Sequence, residues 1–177
     1  MLLADIGLPM IFVELPCLAI ALVPVALLEA AVYRWRLSLA WRKAWWGSLR
    51  ANLWSTFLGV PIAWFLQVAG QVAVGGGAAW GLDTPLSRLA AVTVQSAWLI
   101  PYESELGWMV PAASLCLLLP CLLVSIGLEQ WLLRRYWPDM SAGQVLGAAV
   151  LANVASYLLL AAYWSAQLSW ALAKLPP

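Results

Sequence analysis

Three carboxylates, Glu14, Glu29 and Glu129, stand inside long apolar stretches of the chain, and of all its residues they are the best placed to do chemistry. An ionisable side chain at membrane depth costs about 2.5–3.5 kcal/mol on insertion scales unless it finds partners. Amides able to serve recur nearby at Asn52, Gln67, Asn153 and Gln167. Glu14 and Glu29 are 15 residues apart, as are Asn52 and Gln67, which leaves about 60° between the two members of each pair around a helix. Asn153 and Gln167 differ by about 40° by the same geometry. The polar residues therefore favour one face per helix and form two layers. Glu14, Gln67 and Gln167 make one; Glu29, Glu129, Asn52 and Asn153 make the other, with Ser55 and Ser156. Two such layers could be the ends of a proton or cation path. They are equally what interhelical hydrogen bonds require, each worth about 0.6 kcal/mol, and that structural role is the expectation here. Glu29 and Glu129 lie within about two turns of Arg34 and Arg134, so local ion pairs are expected. Glu14 has no such cation, which makes it the residue a proton path would need to titrate.

Other chemistry is poorly supplied. The chain has no His, hence none of the imidazole that commonly ligates zinc or haem and none for a Ser-His-Asp triad. Cys17, Cys116 and Cys121 lie in apolar runs without a C-x-x-C pair and are expected to pack as small hydrophobes. Gly75-Gly76-Gly77 is followed by no phosphate-loop lysine, and Glu103 and Glu105 read as a solvated loop pair. Nine Lys and Arg against eight Asp and Glu leave a net charge of +1, too little for nucleic-acid binding. No metal, no cofactor and no enzymatic activity are expected.

What must position the carboxylates is a set of membrane spans. Of 177 residues, 64% are apolar and 10% charged, far from the soluble norm of about 45–50% and about 25%. Stretches of about 20 apolar residues cross a bilayer, and four qualify: about Leu8–Tyr33, Ala51–Val74, Gly107–Leu133 and Ala142–Ala173. Arg34, Arg36, Arg42, Lys43 and Arg50 follow the first span, and Arg134 and Arg135 the third. The positive-inside rule places them in the cytoplasm and both termini outside, in a bacterial-type inner membrane. The first apolar run lacks a cationic lead and a cleavage site, so it is expected to be a retained span. A fifth apolar segment, Leu86–Ile100, follows Asp83-Thr84-Pro85 and is too short to cross untilted. It reads as a helix lying on or dipping into the outer face. Leu37, Trp41, Trp45 and Leu49 recur every four residues, as in a short interfacial helix. Most of the 13 Trp residues fall near span ends, as an aromatic belt would place them.

The two halves of the chain resemble each other. A shift of 100 residues aligns Leu28-Glu29 with Leu128-Glu129, Arg34 with Arg134, and Trp64 and Gln67 with Trp164 and Gln167; a shift of 101 aligns Ala51-Asn52 and Ser55 with Ala152-Asn153 and Ser156. A single membrane domain over 1–177 is expected, made of a hairpin at about 5–74, an outer-face loop at 75–106 and a second hairpin at about 107–173. The fold class is thus all-α, with four transmembrane helices as two tandem hairpins in parallel pseudo-repeat, plus short interfacial helices. Gly47, Ala51, Ser55, Gly59 and Ala63 form a ridge of small residues, and Gly143 and Gly147 add a G-x-x-x-G pair; both should let helices approach closely. Pro16, Pro24, Pro61, Pro111 and Pro120 should bend the spans. The expected role is a structural or accessory subunit of a larger membrane assembly, in contact with lipid and with other subunits or a second copy. A small proton- or cation-coupled transporter is the alternative.

Overall fold

The computed structural model describes residues 10–75, 81–96 and 105–174, without the side chains of 10–15 and 75. Secondary structure among the described residues is entirely helical: α1 (Met10–Leu37), α2 (Trp41–Trp54), a π turn (Ser55–Gly59), α3 (Val60–Gly75), α4 (Pro85–Thr93), α5 (Leu106–Tyr136) and α6 (Ala142–Leu172). Four stretches are long and apolar enough to cross a membrane: Pro16–Leu37, Trp41–Val74, Leu106–Tyr136 and Ala142–Leu172. The chain is a multi-pass helical membrane protein on that ground.

The largest departure from the sequence reading is at the second span, which begins at Trp41 rather than near Ala51. Arg42, Lys43 and Arg50 lower its apolarity, but no proline interrupts the backbone before Pro61, so α2, the π turn and α3 follow one another without a break. Leu37, Trp41, Trp45 and Leu49 accordingly form no separate interfacial helix: Leu37 ends α1, and the other three belong to α2. Ser38, at φ 51°, turns the chain between them, in the left-handed region that non-glycine residues seldom occupy.

The π turn lies directly ahead of Pro61. Proline has no N–H for the carbonyl of Phe57, and its ring crowds that carbonyl; a locally wider turn relieves both. The helices continue through Pro16, Pro24, Pro111 and Pro120. A stripe at spacing four drifts by about 40° per step around a regular α-helix, and the π turn takes back part of that drift. Gly47, Ala51, Ser55, Gly59 and Ala63 are all buried. Gly143 and Gly147 are exposed, with nothing within 4 Å of where a Cβ would stand.

The chain divides into two compact units. One consists of Pro16–Val60 and Pro120–Leu160. Its core is alanine-rich, with Ala30, Ala44, Ala51, Ala148, Ala149 and Ala152 allowing close helix approach around Tyr33, Leu133 and Trp137. Tyr33 and Trp137 meet edge to face at 5.3 Å between ring centroids. Gly47 lies against the six-membered ring of Trp137, whereas a Cβ placed on Gly59 would stand at ordinary distances of 3.4 Å from Val124 and 3.6 Å from Leu128. Ser141 and Gln144 cap α6 reciprocally, Gln144 N–H donating to Ser141 Oγ and Ser141 N–H to Gln144 Oε1.

The other unit comprises Met1–Leu15, Pro61–Leu119 and Ala161–Pro177. Ala91 and Val92 of α4 pack there against Met109, Ala113 and Leu117 of α5. Thr84 caps α4 in a capping box with Ser87, and Pro85 occupies the first turn, where its missing N–H costs nothing. The helix closes at Thr93, short of the expected Ile100; residues 97–100 lie outside the described residues.

Candidate functional site: a buried carboxyl pair

Glu29 on α1 and Glu129 on α5 are each only 1% exposed. Asn52 Nδ2 donates to Glu29 Oε2 at 2.5 Å, and Ser156 Oγ donates to Glu29 Oε1 at 2.7 Å. Around Glu129 the same chemistry repeats: Asn153 Nδ2 donates to Oε2 at 2.9 Å and Ser55 Oγ to Oε1 at 3.0 Å. Tyr33 adds its hydroxyl to Glu129 Oε2 at 3.3 Å. Each carboxyl thus takes an amide from the helix that follows it in the chain and a hydroxyl from the other helix pair. Asn52 with Ser55, and Asn153 with Ser156, join the two carboxyls into one network.

Local sequence sets up these donors. Each asparagine spends its second amide hydrogen on the carbonyl four residues back, Asn52 on Ser48 and Asn153 on Ala149, both at 3.1 Å. That fixes the amide plane and leaves one hydrogen aimed at the carboxyl. Ser55 and Ser156 follow their asparagines by three residues, hence share their helix face. Their hydroxyls lie 3.2 Å and 3.0 Å from the carbonyls of Asn52 and Asn153. Ser48 Oγ joins α2 to α1 through the carbonyl of Ala26 at 3.0 Å. Asn153 Oδ1 is buried without a hydrogen-bond partner.

The expected ion pairs with arginine are replaced by these neutral donors, and Arg34 and Arg134 lie exposed. The reason is angular. Five residues separate each glutamate from its arginine, which turns the two side chains about 140° apart around the helix.

Of the sequence candidates, Glu29, Glu129, Asn52 and Asn153 come together. Gln67 makes a separate pair, donating to Ser96 Oγ at 2.9 Å. Gln167 is half-buried on α6. Glu14 belongs to α1, and its side chain lies outside the described residues. Tyr33 was not singled out by the sequence reading, although it stands four residues after Glu29 and so on the same face. Among the described residues, no three His, Cys, Asp or Glu side chains gather as a metal site would require. Cys17, Cys116 and Cys121 are half-buried and form no disulfide with one another. Compared with protein-family models, with curated proteins and with solved structures, the chain matches none.

Proposed function

We propose that the chain is a structural or accessory subunit of a larger membrane assembly, without catalysis of its own, and that the carboxyl centre is the lock that holds its helices in register. The observation that carries this reading is closure: every carboxyl oxygen of Glu29 and Glu129 already accepts from a side chain, and both residues are sealed from solvent. A fully satisfied buried polar network fixes one arrangement, because any slip strands its members. The exposed Gly143 and Gly147 offer a close-approach surface for another helix. Purification in mild detergent followed by mass spectrometry is expected to find a heteromeric membrane partner; a chain that purifies alone or only as a homodimer overturns the assignment.

The same centre favours a tandem duplication of one hairpin, over about 5–74 and 107–173. Glu29 and Glu129, Asn52 and Asn153, Ser55 and Ser156 make matching bonds, down to the backbone carbonyls their amides and hydroxyls reach. One ancestral solution used twice about a pseudo-twofold axis accounts for this economically. The basic residues at the ends of α1 and α5 and in α2 face the cytoplasm of a bacterial-type cell, with both termini and the loop 101–105 outside. In a version lacking Cys17, Cys116 and Cys121, a cysteine at position 43 is expected to resist an impermeant reagent in intact cells and to react once the membrane is opened. Labelling from outside reverses the topology.

One observation favours a second reading, that of a small proton- or cation-coupled transporter. Two buried carboxyls share one network whose side-chain donors are all neutral, and a proton or small cation relieves the repulsion between like groups so placed. Proteoliposomes under a pH gradient separate the readings. Wild-type flux that vanishes in a folded Glu129→Gln or Glu14→Gln variant would establish transport and displace the accessory role.

A further inference from the structure

A cavity of about 690 Å³ opens in the unit formed by Pro16–Val60 and Pro120–Leu160, between α2 and the end of α5. Three cations line it, Arg42, Lys43 and Arg50, and its aromatic walls are Trp46, Tyr136 and Trp137. No carboxylate is among the lining residues. The guanidinium carbon of Arg50 lies 5.9 Å from the ring centroid of Trp46 and 5.7 Å from that of Tyr136. Two ring faces thereby hold a planar cation whose N–H donors suit a phosphate. Three like charges around one space repel, and an anion in that space removes the repulsion. Trp137 is almost wholly buried and gives the cavity a fixed wall.

We propose that this cavity binds the phosphate of an anionic ligand, and that the ligand is the headgroup of an anionic membrane lipid or a phosphate-bearing solute. Arginine supplies paired N–H groups for phosphate oxygens, and lysine a mobile point charge. The volume is in the range that holds a small organic molecule and exceeds what one inorganic phosphate fills. Basic pockets beside spanning helices are where acidic headgroups dock, and Trp and Tyr suit the interface between headgroup and acyl chain.

The test is the thermal stability of the full chain in a neutral detergent, with phosphatidylglycerol, phosphatidylcholine or inorganic phosphate added at equal concentration. Phosphatidylglycerol is expected to raise Tm by about 3 °C or more, and phosphatidylcholine to leave it unchanged. Replacing both Arg42 and Lys43 by Gln should remove at least half of that rise, while the charge-matched replacement of Arg88 and Lys174 by Gln should keep it. Arg42 and Lys43 are exposed and touch no member of the carboxyl centre. Should that double variant fail to fold, Arg50→Lys, which keeps the charge and loses the fork, must shrink the rise instead. A shift of similar size from inorganic phosphate assigns the site to a soluble ligand rather than a lipid. Equal shifts from the two lipids, or a full phosphatidylglycerol effect in the Arg42 and Lys43 variant, overturn the proposal.

Discussion

Glu129→Leu is expected to lower the stability of the bundle by about 3 kcal/mol, and Glu129→Gln by about 1 kcal/mol. Leucine fills much of the volume but accepts nothing, so the hydroxyls of Ser55 and Tyr33 and one hydrogen of Asn153 lose their acceptor. A stranded buried donor costs about 1–3 kcal/mol in water-soluble proteins, while single bonds between membrane helices average about 0.6 and reach about 1.7 kcal/mol. The lower scale sets most of the total here, because Ser55 and Asn153 each retain a backbone carbonyl nearby. Tyr33 has no such fallback among its hydrogen bonds, and its ring is fully buried. Glutamine keeps one accepting oxygen and turns only its amide NH2 toward the remaining donors, hence the smaller loss. Reversible unfolding in mixed micelles with a denaturing detergent measures both. Equal and small losses for Leu and Gln would mean the centre does not lock the helices.

Gly47→Ala is the other large effect, and two opposing magnitudes decide its sign. Alanine gains about 1 kcal/mol over glycine inside a helix, so propensity alone predicts stabilisation. The new Cβ, however, would overlap the six-membered ring of Trp137. That indole is almost fully buried and is held edge-on by Tyr33, itself bonded to Glu129. Overpacking of this kind costs about 1–3 kcal/mol, and with so rigid a neighbour the upper end applies, for a net loss of about 2 kcal/mol. Gly59→Ala serves as the control, since its Cβ would meet Val124 and Leu128 only at ordinary distances. It should be neutral or slightly stabilising. Combining Gly47→Ala with Trp137→Leu should cost less than the sum of the two single changes. Strict additivity, or a stabilising Gly47→Ala, would remove the steric explanation.

The spans were legible because length and apolarity alone decide whether a helix can cross a bilayer. The start of the second was not, since Arg42, Lys43 and Arg50 read as a boundary while the backbone needs none. Pairing of Glu29 with Asn52 and of Glu129 with Asn153 follows from helix-face arithmetic within one hairpin. The crossed hydroxyls, Ser156 to Glu29 and Ser55 to Glu129, depend on how distant helices pack, which no local periodicity encodes. Arg34 and Arg134 are near Glu29 and Glu129 along the chain but about 140° away around the helix, and the angle decides the pairing. The cavity is illegible for a related reason: Arg42, Lys43 and Arg50 also fit the positive-inside pattern, and a Trp near a span end fits an aromatic belt without any ligand.

The π turn at Ser55–Gly59 also leaves a trace in the spacing of the two halves. Asn52 and Ser55 match Asn153 and Ser156 at a shift of 101, yet Trp64 and Gln67 match Trp164 and Gln167 at 100. The first half therefore carries one more residue than the second between Ser55 and Trp64, and the π turn falls inside that interval. An inserted residue in a helix rotates everything beyond it by about 100° unless the extra unit is looped out as a wider turn. On the duplication reading, the bulge is the scar of a length mutation healed within five residues. The copies could then drift apart in length while the helix beyond kept its phase.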